Sequence, residues 1–104
     1  MNNIDYIRSQ LSNPELLAGL AEEATELAHA ALKLRRVIDG SNHTPVCYDE
    51  AYANLKEEIG DVLLSLEVFG ISTSTEAYRH NMDEKLERWV YRLKNRIASA
   101  AVAP

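Results

Sequence analysis

The stretch Leu20–Arg36, LAEEATELAHAALKLRR, places three carboxylates beside an apolar stripe and follows them with three cations. If the segment is a helix, its apolar residues recur at alternating steps of three and four, which predicts one buried face. Glu23 and Glu26 should lie just beside that face. A hydrophobic core does not require acidic residues there, so their position indicates a function. The stripe consists of Leu17, Leu20, Ala24, Leu27, Ala31, Leu34 and Ile38.

A second segment repeats this geometry downstream, with Glu58 and Asp61 each one residue before a position of its apolar stripe. If the two helices pack through their stripes, we expect four carboxylates to meet at the edge of the core, with the small residues Ala30 and Ser65 one turn further on. Two carboxylates about 5 Å apart repel by roughly 1 kcal/mol in water and about 3 kcal/mol at an effective dielectric near 20. The cluster therefore predicts a bound hard divalent cation. The second stripe consists of Tyr52, Leu55, Ile59, Val62, Leu66 and Phe69.

The composition indicates a single small all-α domain over residues 1–104. Hydrophobic residues make up 46% of the chain, with four Gly and three Pro, and a core of this size favours a dimer or larger assembly. The net charge of -5 argues against a nucleic-acid partner. The lone Cys47 excludes a disulfide framework, Met1–Leu11 is too polar for a signal peptide, and no apolar run could span a membrane. We expect a soluble, cytoplasmic protein.

Capping and breaking residues predict four helices. A short first helix follows Asn2 or Asn3, and a second runs from about Pro14 to Ile38 with Asn13 as its N-cap and Asp39-Gly40 as its end. Residues 39–50 form a loop. A third helix spans about 50–69, capped by Asp49 and ended by Gly70. A capping box of Thr73 and Glu76 starts a fourth helix that reaches about Ile97, and Ala98–Pro104 should fray.

The fourth helix offers two different faces. Its basic line consists of Lys85, Arg88 and Arg92 together with Asn81. The neighbouring face is apolar and reads as core, with Tyr78, Met82, Leu86, Trp89, Leu93 and Ile97.

The motif Glu22-Glu23-x-x-Glu26, followed by Glu58-x-x-Asp61, resembles the EExxE and ExxD signature of the MazG-like all-α nucleoside triphosphate pyrophosphohydrolases. The resemblance covers about residues 14–96. The interval between Glu26 and Glu58 is longer than the family pattern usually has, and the extra length falls in the 39–50 loop.

This resemblance implies a four-helix-type bundle, assembled as a homodimer or homotetramer, that binds Mg²⁺, for which Mn²⁺ can substitute. It implies hydrolysis of a nucleoside or deoxynucleoside triphosphate to the monophosphate and pyrophosphate, with nucleotide-pool housekeeping as a family-level role. Glu23, Glu26, Glu58 and Asp61 become the metal ligands and Glu22 a supporting catalytic carboxylate. The base and sugar are left open.

Cations are available to bind the substrate phosphates. Lys33 and Arg36 continue the line of Glu22, Glu26 and His29 at three-four spacing on the second helix. Lys85, Arg88 and Arg92 offer a second set on the fourth helix. Each of these side chains can equally be a solvated surface charge.

Two other readings remain open. Glu26-x-x-His29 has the spacing of di-metal carboxylate redox bundles, but such a site needs that motif twice, and the position three after Asp61 is Leu64. The other alternative is a helical interaction module without chemistry, for which two amphipathic helices and a basic helix are sufficient.

Overall fold

The computed structural model describes residues 2–41 and 45–102, with side chains as far as residue 96. Four α-helices account for most of this part of the chain, and it contains no β-strand: α1 (Asn3–Gln10), α2 (Asn13–Asp39), α3 (Tyr48–Phe69) and α4 (Arg79–Val102). The all-α prediction is confirmed. None of the helices in the described ranges has the length and apolarity required to cross a bilayer.

The chain divides into two compact units, Met1–Thr73 and Ser74–Pro104. In the first unit, α2 packs along α3, and α1 packs against α3. The second unit contains a short 3₁₀ helix, Thr75–Tyr78, which leads into α4.

The helix ends of the first unit follow local capping chemistry, although two caps differ from the prediction. Asn2 caps α1 by accepting a hydrogen bond from the Asp5 amide at 2.8 Å. The N-cap of α2 is Ser12 rather than Asn13, because Ser12 forms a reciprocal capping box with Glu15. Cys47 precedes α3 without a side-chain cap, so the predicted cap at Asp49 is wrong.

Glycine ends both long helices of this unit, as predicted. Gly40 and Gly70 adopt left-handed conformations with φ of 65° and 99°, which side chains disfavour. The Gly40 amide donates to the Arg36 carbonyl at 2.9 Å, and the Gly70 amide donates to the Leu66 carbonyl at 3.0 Å. Residues 42–44, where the predicted loop includes His43, lie outside the described residues.

The start of the last helix differs from the prediction. Ser74, not Thr73, is the N-cap residue, and the chain makes the 3₁₀ turn before α4 begins at Arg79. The side chain of Glu76 pairs with Arg79 at 3.3 Å. The helix continues to Val102, beyond the predicted end near Ile97, whose side chain lies outside the described residues.

The packed face of α2 is the main correction to the predicted fold. The predicted stripe and the observed one share Leu20, Leu27 and Leu34, but the structure uses the adjacent heptad phase, so Leu17 and Ile38 are 45% and 66% exposed. Both phases have the same three-four rhythm, so periodicity alone could not separate them. The buried and half-buried residues of α2 are Leu16, Gly19, Leu20, Glu23, Leu27, Ala30, Lys33, Leu34, Arg36 and Val37.

The packed face of α3 is displaced in the same way. Tyr52 and Ile59, predicted to be core, are exposed, whereas Glu58 and Asp61 lie on the packed face itself. The buried and half-buried residues of α3 are Ala51, Asn54, Leu55, Glu58, Asp61, Val62, Ser65, Leu66, Val68 and Phe69. We refer to these two faces together as the α2–α3 seam. The carboxylates therefore belong to the seam and do not lie beside it.

Candidate metal centre

Three carboxylates from the α2–α3 seam come together. Glu23 is contributed by α2, and Glu58 and Asp61 by α3; one oxygen of each lies within 4.8 Å of one oxygen of the others. All three residues are half-buried. The seam thus contains a compact set of anionic oxygen atoms that is still open to solvent.

Helix geometry explains the convergence. Residues three apart on a helix lie on the same face, so Glu58 and Asp61 point in one direction from α3. Glu23 of α2 meets this pair, while Leu16 and Gly19 share a cavity with residues 64, 65 and 68 of α3. Lower numbers on α2 therefore face higher numbers on α3, which means that the two helices run antiparallel.

The cluster is electrostatically unfavourable without a cation. Partial burial raises the pKa of Glu58, and the charges of Asp61, Glu23, Glu26 and Glu57 raise this pKa further. Within the described residues the ion pairs are Arg35 with Asp39, Arg79 with Glu76 and His80 with Glu84, and none includes a cluster residue. The protein therefore crowds negative charge here without a neutralising side chain among the described ion pairs.

The donor set fits a hard divalent ion. Mg²⁺ and Ca²⁺ prefer oxygen ligands and are bound at about 2.0–2.6 Å, so ligands on opposite sides of one ion lie roughly 4–5 Å apart. The 4.8 Å limit on the separation of the three oxygens falls in this range. Zinc and iron–sulfur sites favour thiolate or imidazole ligands, which this cluster lacks.

The two other predicted carboxylates lie outside this set. Glu22 and Glu26 are exposed on α2, and neither belongs to the group of three. Glu26 is nevertheless close enough for its charge to raise the pKa of Glu58. The structure brings three of the predicted residues together and leaves Glu26 at their edge.

The predicted cations lie elsewhere. Lys33 and Arg36 are half-buried on α2, ten and thirteen residues beyond Glu23, or about 15 and 20 Å along the helix axis. Lys85, Arg88 and Arg92 line a shallow exposed surface of α4 together with Trp89. Trp89 is 64% exposed in this unit, in contrast to its predicted place in a core.

A cavity of about 190 Å³ lies further along the α2–α3 seam. Its lining includes Gly19, which precedes Glu23 by one helical turn, and Ser65, which follows Asp61 by one turn. Ser65 was recognised as a small residue from the sequence, whereas Gly19 was not. A glycine inside a helix costs about 1 kcal/mol relative to alanine, so its presence there was an available signal. The remaining lining residues are Leu11, Glu15, Leu16, Leu64 and Val68.

Arg8 holds α1 against the end of α3. Its Nε donates to the Val68 carbonyl at 2.6 Å and its Nη2 donates to the Glu67 carbonyl at 2.8 Å. Carbonyl groups at a helix C-terminus have no partners within the helix and favour a nearby cation. This contact fixes Leu11, at the end of α1, near the cavity. Sequence reasoning did not identify Arg8, because the pairing joins residues about sixty positions apart.

Comparison with known proteins adds independent evidence. The family model for the MazG nucleotide pyrophosphohydrolase domain matches residues 11–99, most of the chain. Neither the curated proteins nor the solved structures include a significant match. The matched range contains both acidic motifs, so the resemblance stated from the sequence is confirmed. The chain belongs to the MazG nucleotide pyrophosphohydrolase family.

Proposed function

We propose that this protein hydrolyses a nucleoside or deoxynucleoside triphosphate to the monophosphate and pyrophosphate, with Mg²⁺ as its cofactor and Mn²⁺ as a substitute. The observation that carries the proposal is the convergence of Glu23, Glu58 and Asp61 on a packed seam. Packing alone gives no reason to place three carboxylates there, since each would be more stable in water. Membership of the family supplies the class of reaction.

The proposed metal ligands are Glu23, Glu58 and Asp61, with Glu26 completing the set from the edge of the cluster. A divalent ion held by these groups would neutralise phosphate charge, polarise the phosphoryl oxygens and lower the pKa of a bound water. A carboxylate oxygen that the ion leaves free accepts the proton of the attacking water. Glu22, one residue before Glu23, adds negative charge and supports the ligands.

The phosphates need positive charge as well. The sequence-based assignment of the distal phosphates to Lys33, Arg36, Lys85, Arg88 and Arg92 stays a prediction: the donors of all five suit phosphate oxygens, but Lys33 and Arg36 lie about 15 and 20 Å from Glu23 along α2. Lys85, Arg88 and Arg92 line one exposed surface of α4.

We further propose that the protein acts as a homodimer or homotetramer in the cytoplasm. Only Ala30, Ala51 and Val68 are buried among the described residues, which is a thin core for a chain of this length. The apolar residues that the seam leaves out, including Tyr52 and Ile59, are exposed. Contiguous exposed apolar surface is typical of a face that another copy covers.

The test is a panel of ribo- and deoxyribonucleoside triphosphates assayed for pyrophosphate and orthophosphate with and without Mg²⁺. We expect pyrophosphate release that depends on the metal, and a melting temperature of the wild type that Mg²⁺ raises. At a metal concentration 100 times Kd, binding stabilises the folded state by about 2.7 kcal/mol. Release of orthophosphate alone would contradict the assigned bond.

The exposed apolar residues also support the alternative, an interaction module without chemistry. That alternative predicts an oligomer whose stability does not depend on Mg²⁺. It also predicts that the protein releases no pyrophosphate from any nucleotide. The di-metal redox alternative has weaker support, since His29 is exposed and lies outside the group of three carboxylates.

A further inference from the structure

The cavity beside the carboxylates has the size and position of a subsite. Gly19 lies four residues before Glu23, and Ser65 lies four residues after Asp61, so each is displaced by about 6 Å along its helix. Because α2 and α3 are antiparallel, the two displacements point in the same direction. The cavity therefore begins one helical turn from the carboxylate oxygens, on the same seam.

Its volume limits what it can hold. Pockets for drug-sized ligands occupy about 300–1,000 Å³. At about 190 Å³ the cavity is too small for a whole nucleotide and large enough for one ring system. Leu11, Leu16, Leu64 and Val68 give it apolar walls, and Glu15 and Ser65 are its polar side chains. Apolar walls with a few polar groups suit a flat heteroaromatic ring better than a phosphate.

Gly19 keeps this space open. A Cβ atom built on Gly19 would have no neighbour within 4 Å, so the position has room for a side chain that the sequence does not supply. Gly60 on α3 is a useful comparison, because it is also a helical glycine with open space at its Cβ position but does not line the cavity.

We propose that this cavity receives the base of the substrate nucleotide and that Gly19 and Ser65 determine which base fits. The inference rests on the proposed function, since that function places the phosphates at the carboxylates. In a nucleotide the sugar separates the base from the phosphates, so a base subsite has to lie a short distance from the metal site. The cavity satisfies this requirement within one unit of the chain.

The experiment measures binding rather than turnover. Calorimetry with Mg²⁺ compares α,β-imido nucleoside triphosphates with inorganic triphosphate, a probe that has no base. Wild type, Gly19→Leu and the matched control Gly60→Leu are titrated with each probe. We expect Gly19→Leu to weaken nucleotide binding at least tenfold and inorganic triphosphate binding less than threefold, while Gly60→Leu changes neither.

A second variant keeps the test valid if Gly19→Leu does not fold. Ser65→Ala removes only a hydroxyl group, and it should change the ratio of Kd values among the bases by threefold or more without changing the affinity for inorganic triphosphate. Unchanged base ratios in Ser65→Ala together with unchanged nucleotide binding in Gly19→Leu would overturn the inference. Parallel weakening of both probes by Gly19→Leu would do the same.

The remaining outcomes separate this inference from the proposed reaction. If Gly19→Leu dissociates the oligomer in sedimentation yet keeps its nucleotide affinity, a second copy occupies the cavity and the inference is wrong. If the wild type binds inorganic triphosphate as tightly as every nucleotide but releases pyrophosphate, the inference fails alone. If base-dependent binding is found without any pyrophosphate release, the proposed reaction fails and the subsite remains.

Discussion

The α2–α3 seam and helix α4 contain the same kinds of residue at similar spacing, but in different surroundings. On the seam, Glu23, Glu58 and Asp61 are half-buried and converge within 4.8 Å. In the second unit, every described side chain from Arg79 to Arg96 is exposed, including Trp89 at 64%. Charges on α4 are therefore solvated, and their interactions are weak. Charges on the seam cannot be solvated fully, and that difference is the reason why we propose the seam as the site of the reaction.

The largest expected effect comes from removing a seam carboxylate. Glu58→Gln and Asp61→Asn keep the shape of each side chain and remove one negative charge. Mutation of the residues that support metal ligands usually costs 10–100-fold in affinity or activity, so a ligand itself should cost at least about 100-fold in turnover. Pyrophosphate release and the rise in melting temperature with Mg²⁺ should both be lost.

The matched control is Glu57→Gln, which makes the same change at an exposed position next to Glu58. Its turnover should stay within about threefold of the wild type, because a solvated charge interacts weakly. The metal-free Glu58→Gln and Asp61→Asn proteins should be no less stable than the wild type, since both changes relieve repulsion. If both variants are less stable than the wild type and Mg²⁺ does not change the melting temperature of the wild type, the carboxylates belong to structural ion pairs.

A smaller effect is expected on α4. Arg88→Ala should raise KM about tenfold, since hydrogen bonds to charged groups contribute roughly 1.5–3 kcal/mol and this side chain is exposed. Lys94→Ala, another exposed cation of α4 that does not line the surface around Trp89, should leave KM unchanged. Steady-state kinetics at two salt concentrations provides the measurement. Equal increases in KM for Arg88→Ala and Lys94→Ala would mean that the α4 cations act only through their general electrostatic attraction and do not bind phosphate directly.

The sequence predicted the helices well, because their ends depend on local chemistry. Gly40 and Gly70 ended α2 and α3 as expected, since left-handed backbone conformations need glycine. Ser12 was missed as a cap only because its neighbour Asn13 has a similar preference. The sequence also named the three carboxylates, because their spacing on each helix is a local property.

The packed phase of the helices could not be predicted in the same way. Leu20, Leu27 and Leu34 belong to both candidate stripes. The stripes differ in whether Ala24 or Glu23 is packed, and hydrophobicity alone favours Ala24. In the structure, the packed face of α2 follows the phase that contains Glu23. The wrong choice placed Leu17 and Ile38 in the core and the carboxylates at its edge. A phase that buries charge is a cost to stability, so a pattern that counts only apolar residues rejects it.

Long-range features were also beyond the sequence. The contact of Arg8 with the carbonyls of Glu67 and Val68 joins the beginning of the first unit to the end of α3, and no local pattern predicts it. The exposure of Trp89 has the same origin, since the apolar face of α4 looks like a core face when only its own periodicity is considered.

The third prediction concerns that Arg8 contact. Arg8→Met keeps the apolar stem and removes two hydrogen bonds to carbonyls in the last turn of α3, which should lower the free energy of unfolding by about 1 kcal/mol. Arg35→Met is the control, because Arg35 pairs with Asp39 at 3.4 Å and is 73% exposed, so its loss should be barely measurable. Urea unfolding of the three proteins checks the difference. Equal midpoints would mean that α1 is not held by this contact.

The smallest expected effect is the pH dependence of the stability of the metal-free protein. It tests whether a carboxylate on the seam is less well solvated than one on the surface. Burial and neighbouring charges raise the pKa of Glu58 above its ordinary value of 4.5, so its folded form favours the proton. Its contribution to stability is therefore complete below that ordinary value and is lost as pH rises through the raised pKa.

Glu58→Gln should match the wild type at about pH 4, where the native carboxyl is protonated, and become the more stable protein towards pH 7. Mg²⁺ reverses this order, since the ion binds the ionised carboxylate. The control Glu57→Gln should show a smaller pH-dependent difference from the wild type than Glu58→Gln does, because Glu57 is exposed and its charge is the smallest of the causes that raise the pKa of Glu58. Melting curves in chelator across this range measure the difference. A gap between Glu58→Gln and wild type that stays constant with pH would mean that Glu58 is as solvated as the charges of α4.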